Sequence, residues 1–173
     1  MYGILPYYLS KIFVDLPILI VTVIVFVIII YFGIGLVNNA WSFFKFLFTV
    51  ILVGFLSQLY GLTLSVFFNQ PEAAVGIAPI FMLPLMILGG FMTNSGTVPA
   101  WFGWLQYISP VRYGFEALQQ NEFSGRPNLE FNILGFLSFS LGYGLCMIFM
   151  LILCTILMFI SVIVLKLKVT RYQ

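Results

Sequence analysis

Uncharged stretches of unusual length limit this chain to very few folds. No charged side chain occurs from Leu16 to Phe44 or from Phe131 to Leu165. An α-helix needs about 20 apolar residues to cross the hydrocarbon layer of a bilayer, which is about 30 Å thick. Hydrophobic residues make up 62% of the chain and charged residues 7%, against about 25% charged residues in globular domains. Because a water-soluble fold could not cover its surface with so few polar groups, the sequence predicts an integral, multi-pass membrane protein.

The apolar stretches divide into four predicted transmembrane helices. These helices cover residues 17–36, 43–67, 73–92 and 138–164. Residues 1–15 precede them and have the spacing of a short helix that lies along the membrane interface. Lys11 and Asp15 are one turn apart in this segment and can pair. The segment is either an anchor for the first span or a contact for a cytoplasmic partner.

Small and helix-breaking residues mark two of the spans. In the second span Ser57, Gly61 and Ser65 recur every four residues, which predicts a face for close helix packing. The third span contains Pro79 and Pro84 and ends in two glycines. Because proline removes a backbone donor and tends to kink a membrane helix, this span either bends during function or is only shaped for packing.

Residues 93–137 form the large loop, which carries polar and aromatic side chains between two apolar stretches. Pro99 can open one short helix, and Ser109 with Pro110 supplies the cap and first residue of a second. We therefore predict a re-entrant helical hairpin. Arg112 and Glu116 are four residues apart, and we expect them to neutralise each other, since a single charge at mid-membrane costs about 2.5–3.5 kcal/mol on insertion scales. Glu116 serves either as a structural ion-pair partner or in a transport path.

The basic residues near the C-terminus predict the orientation. Lys166, Lys168 and Arg171 form the strongest basic cluster, and the positive-inside rule assigns such a cluster to the cytoplasm. Four crossings return the N-terminus to the same side, so the large loop is extracytoplasmic. The predicted fold is an all-α polytopic membrane protein with four transmembrane helices, an N-terminal interfacial helix and the re-entrant hairpin. The plasma membrane and an intracellular membrane both fit.

Several kinds of chemistry are excluded by composition. The chain has no histidine, which is the commonest general base and metal ligand. Cys146 and Cys154 are about 12 Å apart along a helix, too far for a disulfide. No glycine-rich phosphate loop is present, and a net charge of +2 does not suggest nucleic acid. We predict no catalytic residue, no metal site and no cofactor bound by this chain, with membrane lipid as its surroundings.

Two patterns resemble the permease half of the G subfamily (White type) of ATP-binding cassette exporters. The first is Tyr8-x-x-Lys11-x-x-x-Asp15-Leu16-Pro17. The second is P-x-W-x-x-W-x-x-Y-x-S-P-x-x-Y-x-x-E-A-L-x-x-N-E-F-x-G, from Pro99 to Gly125. The resemblance implies that residues 1–173 are part of an ABC-2 type transmembrane domain, comprising the last four of six spans, and that the chain is a fragment or a partial gene product.

The resemblance also implies partners that this chain does not contain. A nucleotide-binding domain in the same full-length protein would bind ATP and Mg, and the protein would work as a homo- or heterodimer. The substrates would be hydrophobic small molecules or lipids, including sterols, pigments and drugs.

Roles for individual residues follow from the same resemblance. Tyr8, Lys11 and Asp15 would couple the membrane domain to the nucleotide-binding domain. Leu83 and Met86 would face the substrate cavity, and Phe91 with Met92 would form an apolar gate. The polar and aromatic positions of the re-entrant hairpin are Trp101, Trp104, Tyr107, Arg112, Tyr113, Glu116, Asn121 and Glu122.

Three functions agree with these patterns. The first is the permease portion of an ATP-driven exporter. The second is a membrane scaffold or regulatory partner of a full transporter that transports nothing itself. The third is an ion-coupled carrier that uses Glu116, although the scarcity of membrane carboxylates argues against it.

Overall fold

The computed structural model describes residues 4–36, 39–68, 70–91, 104–123 and 141–171. Within these ranges all regular structure is helical. In chain order the elements are α1 (Ile4–Ile34), α2 (Ala40–Phe67), α3 (Pro71–Met86), a π-helix (Ile87–Phe91), a 3-10 helix (Trp104–Tyr107), α4 (Pro110–Phe123) and α5 (Tyr143–Arg171). Four helical stretches are long and apolar enough to cross a membrane, and they belong to α1, α2, α3 with the start of the π-helix, and α5. The prediction of an all-α polytopic membrane protein is confirmed.

α1 joins two segments that the sequence analysis separated. Residues 4–34 form one continuous helix of about 46 Å with Pro17 inside it, so no break divides residues 4–15 from the span predicted at 17–36. A proline removes one backbone hydrogen bond, and membrane helices tolerate this loss because neighbouring groups satisfy the freed carbonyl. The helix ends before Gly35, whose φ of 70° is easily adopted by glycine. The location of the first 15 residues at the interface stays a prediction.

The other spans start and end close to their predicted limits. α2 begins at Ala40, three residues before the prediction, because the Asn39 side chain accepts a hydrogen bond from the Trp41 N–H at 3.2 Å. α3 begins with Pro71 in its first turn and continues without interruption into the π-helix. α5 begins at Tyr143 and continues to Arg171, beyond the predicted end at 164. Met92 and residues 138–140 lie outside the described part of the chain.

α2 is the centre of the bundle and contacts α1, α3, α4 and α5. The buried core residues of this bundle are Tyr8, Ile12, Leu52, Leu56, Leu59, Tyr60, Leu85, Tyr113, Ala117, Cys146, Met147, Met150, Cys154 and Leu157. A buried hydrogen bond of 2.7 Å between the hydroxyls of Thr63 and Ser161 ties α2 to α5.

The small residues of α2 that were predicted to pack against another helix do not face the helix bundle. Ser57, Gly61 and Ser65 are exposed, and no heavy atom outside the helix backbone approaches within 4 Å of a Cβ built on Gly61. The prediction of close packing at this face is therefore wrong for contacts among the residues that the structure describes. The larger Leu56 and Leu59 provide the buried contacts of α2 instead.

Candidate functional site

α3 carries an apolar stripe on the outside of the helix bundle. Leu83 and Met86 are 56% and 47% exposed, whereas Leu85 between them is 1% exposed. Residues three or four apart lie on one face of a helix, and Ile80 and Ile87 continue this stripe in both directions. The two residues predicted to face the substrate cavity therefore lie together, on a face that the described part of the chain leaves uncovered.

The stripe ends where α3 changes into a π-helix. Pro84 has no backbone donor, and the N–H of Ile87 is shared between the carbonyls of Leu83 and Pro84. The five residues that follow have the sequence ILGGF and a π-helical backbone, a conformation that is rare and occurs frequently at functional sites. Phe91 is the last residue of this π-helix. Its side chain and Met92 lie outside what the structure describes, so the paired apolar gate stays a prediction.

The start of α4 is fastened to the same part of α3. The Ser109 hydroxyl donates a 2.7 Å hydrogen bond to the carbonyl of Leu85, and it also accepts from the Arg112 N–H at 3.4 Å, which confirms the predicted cap. A Cβ at Gly89 would lie 2.7 Å from a methyl carbon of Val111. Only a glycine lets the π-helix and α4 approach this closely.

α4 lies alongside α2 rather than beyond its end. The Asn121 side chain donates to the carbonyl of Ser42 at 2.9 Å, and the Tyr60 hydroxyl donates to the carbonyl of Ile108. Ser42 and Tyr60 are about 27 Å apart along α2, so α4 and the residues just before it follow most of this candidate span. Gly114 sits between these two contacts, where a Cβ would collide with Val53. The re-entrant position of this helix in a membrane stays a prediction.

The expected ion pair between Arg112 and Glu116 is wrong for the described residues. Arg112 donates from Nη1 to Oε1 of Gln106 at 3.0 Å and lies 5.0 Å from the centre of the Tyr107 ring. Glu116 is 1% exposed, and its Oε1 accepts from the N–H of Leu141 at 2.7 Å. Their spacing places the two side chains on one face of α4, but each forms its hydrogen bond with a residue outside this helix, Gln106 or Leu141.

Burial raises the pKa of the Glu116 carboxyl above its ordinary value, and the bond from Leu141 and the charge of Arg112 lower it only in part. The carboxyl thus connects α4 to the segment just before α5. This contact has a structural role, because the Oε1 atom of Glu116 accepts a hydrogen bond from a backbone N–H.

The remaining hairpin residues separate into an exposed and a buried group. Trp104 and Tyr107 are exposed, and Trp101 lies outside the described residues. Tyr113 is buried, donates to the Tyr107 carbonyl at 3.1 Å and has its ring centroid 5.4 Å from that of Phe149. Asn121 is buried as well, and Glu122 beside it is partly buried.

Two residues that the sequence analysis overlooked help to hold α4. Gln106 is 5% exposed and is the partner of Arg112, and Tyr60 supplies the bond to Ile108. A tyrosine inside a predicted span was a usable signal for Tyr60, because a buried phenol needs a hydrogen-bond partner. No local pattern distinguished Gln106.

The three predicted coupling residues lie at the start of α1, which packs on α2 and α5. Lys11 Nζ and Asp15 Oδ2 are 3.9 Å apart, as predicted, and both side chains are substantially exposed. Tyr8 is 4% exposed and belongs to the buried core. Their coupling role stays a prediction.

Metal and disulfide chemistry find no support in the ranges that the structure describes. No group of three His, Cys, Asp or Glu residues there could hold a metal ion. Cys146 and Cys154 are both buried and unbridged.

Comparison with known proteins adds two findings. The sequence pattern that defines the ABC-2 type transporter family matches residues 1–123. The chain is also 34% identical over 147 residues to the broad substrate specificity ATP-binding cassette transporter ABCG2 of Sus scrofa, an alignment that covers 83% of this chain and 22% of that protein.

Two other relatives give similar values. Identity to the protein white of Drosophila melanogaster is 35% over 118 residues, covering 68% of this chain and 17% of that protein. Identity to the ABC multidrug transporter atrA of Aspergillus oryzae is 35% over 112 residues, covering 65% and 8%. The chain therefore spans less than a quarter of the length of each of these three relatives.

Proposed function

This chain belongs to the ABC-2 type transporter family, and from that premise we propose that it is the membrane-spanning permease portion of an ATP-driven exporter of hydrophobic or amphipathic molecules. The ABC-2 domain is the part of such transporters that does not hydrolyse ATP. A nucleotide-binding domain in a full-length protein would bind ATP and Mg, and both termini of the present chain would lie in the cytoplasm. Lipids, sterols and xenobiotics are the substrate classes we propose.

The observation that carries this proposal is the exposed apolar stripe of α3. A side-chain row that includes Leu83 and Met86 faces away from the chain's own bundle, so a second copy or a related chain would close it into a cavity. Ligand cavities with mostly apolar walls and few polar groups favour hydrophobic ligands. We therefore propose a homo- or heterodimer in which two α3 helices line the substrate path.

The π-helix and its attachment to α4 suggest how the path would open. Above the stripe, the backbone of residues 87–91 departs from regular α-helical bonding, while Ser109 fixes the carbonyl of Leu85 on the opposite side. Motion received at the start of α1 would then move α3 relative to α4, with the π-helix absorbing the change. Phe91 and Met92 would open and close the outer end.

The test is ATP-dependent efflux from vesicles that contain a full-length form of the protein. Leu83 and Met86 are both changed to Ala, and Ile77→Ala is the matched control, because Ile77 is an exposed isoleucine of the same helix that lies about 120° and 180° around the axis from the two changed residues. We expect the double variant to alter the substrate KM or the range of substrates, and the control to leave both unchanged.

Two outcomes would overturn the proposal. One is an effect of Ile77→Ala as large as that of the double variant, which would remove the special role of the stripe. The other is efflux that follows a pH gradient without ATP and disappears in Glu116→Gln, which would identify an ion-coupled carrier instead.

A further inference from the structure

A groove lies between the first turns of α1 and the second half of α5, away from the α3 stripe. Its volume is about 250 Å³ and its walls present apolar surface only. The residues that line it are Leu5, Tyr8, Leu9, Thr155, Met158, Phe159 and Val162.

The surroundings of the groove are those of a lipid-facing surface. α1 and α5 are both candidate membrane spans, and the groove opens to the outside of the bundle, where Leu5 and Phe159 are 54% and 70% exposed. Pockets that hold a complete drug-sized ligand measure about 300–1,000 Å³. A smaller, open and fully apolar groove instead suits one part of a molecule, such as a hydrocarbon chain that extends along the two helices.

A basic side chain follows the groove on the same face of α5. Thr155, Phe159 and Val162 recur at helical spacing, and Lys166 is the next residue of this row, one turn or about 6 Å beyond Val162. Lys166 is exposed, and α5 remains helical past it. Lys168 lies two residues further on, on a different side of the helix. The apolar groove thus continues directly into a positive charge near the end of a membrane helix.

We propose that this groove binds one anionic phospholipid, with an acyl chain along the groove and its phosphate at Lys166. Charge complementarity identifies the occupant, since basic pockets between membrane helices bind anionic lipid head groups. The lipid would belong to the leaflet that faces the C-terminal end of α5. This site is separate from the proposed transport function and does not depend on it.

The experiment measures lipid binding to the full chain, purified in detergent, by native mass spectrometry. The probes are phosphatidylglycerol and phosphatidylcholine with identical acyl chains. We expect phosphatidylglycerol to bind more tightly, and Lys166→Gln to weaken its binding about fivefold while leaving phosphatidylcholine unchanged, since one lysine near a membrane surface contributes about 1 kcal/mol. Lys168→Gln is the matched control, with the same charge change on another side of α5, and we expect a smaller effect than that of Lys166→Gln because Lys168 does not continue the row of groove residues.

A second pair of variants tests the apolar half of the site. Val162→Phe places a ring in the groove and should weaken binding of both lipids, whereas Leu167→Phe, at an exposed position one to two turns further along α5 and outside the groove, should not. Helical content measured by circular dichroism confirms that each variant is folded.

Three results would overturn the proposal. Equal binding of the two lipids by the unchanged chain would exclude a head-group site. Equal effects of Lys166→Gln and Lys168→Gln would indicate diffuse charge attraction. Retention of neither lipid would show that the groove does not hold a phospholipid.

Discussion

Among the described residues, α3 and α4 both contact the π-helix, but their exposure is the reverse of that expected in a water-soluble protein. α4 contains Arg112, Glu116 and Glu122, yet six of its residues, including Glu116 and Asn121, are buried. α3 is apolar, and Leu85 is its only buried side chain among those that the structure describes. In a membrane, an apolar helix can face the lipid without a cost in free energy, while polar groups require hydrogen-bond partners inside the protein. Polarity therefore indicates which helix is held in the bundle, and apolar exposure indicates which helix is available to lipid, substrate or another chain.

The sharpest test of this contrast compares two leucines on α3. Leu85→Ala removes a fully buried side chain from the core and should lower the free energy of unfolding by about 3 kcal/mol. Leu83→Ala removes the same atoms from the exposed stripe and should change it by less than about 0.5 kcal/mol. Reversible unfolding in mixed micelles, followed by circular dichroism, measures both. Equal losses at the two positions would show that α3 is not divided into a packed and an open face.

Substitutions at two glycines should change the free energy of unfolding by an intermediate amount. A Cβ at Gly114 on α4 collides with Val53, whereas one at Gly61 on α2 meets open space. We expect Gly114→Ala to lower the free energy of unfolding by about 2 kcal/mol through overpacking. Gly61→Ala should instead raise it by about 0.5–1 kcal/mol, because alanine favours the helix. The same unfolding assay applies, and stabilisation by both variants would mean that α4 is not pressed against α2.

The sequence was sufficient to predict the spans because hydropathy is a local property. Three of the four candidate spans lie within about five residues of the predicted ones, whereas the first begins at Leu5, twelve residues before the predicted start. The continuity of α1 through Pro17 was not predicted, since the sequence analysis treated residues 1–15 and the first span as separate segments.

The details of the site were harder to predict, since they depend on contacts distant in sequence. Spacing placed Arg112 near Glu116, but only the tertiary arrangement determines that Gln106 and Leu141 become their partners. The regular row of small residues on α2 likewise gave no information about which neighbour it faces. Leu83 and Met86 were selected through a family resemblance, and their shared exposed face became visible only in the structure.

The last prediction concerns the way in which the buried Glu116 makes the free energy of unfolding depend on pH. Its carboxyl has a raised pKa in the folded protein, above the ordinary value of 4.5, so the protonated form is the one that folding favours. The contribution of Glu116 to the free energy of unfolding is therefore complete below about pH 4.5 and is lost as the pH rises through the folded pKa.

Glu116→Gln keeps an acceptor for the Leu141 N–H but cannot ionise. The difference in unfolding free energy between the variant and the unchanged chain should shift in favour of the variant as the pH rises, because only the unchanged chain loses the contribution of a buried neutral carboxyl. Subtracting the two profiles removes the titration of the other carboxyls, and Glu72→Gln, at an exposed position in the first turn of α3, is the control. A difference that stays constant with pH, or that grows in the opposite direction, would mean that the charge of Glu116 is stabilised within the bundle. α4 would then differ from α3 less than their burial suggests, because a charge as well as a neutral polar group would be accommodated among the spans.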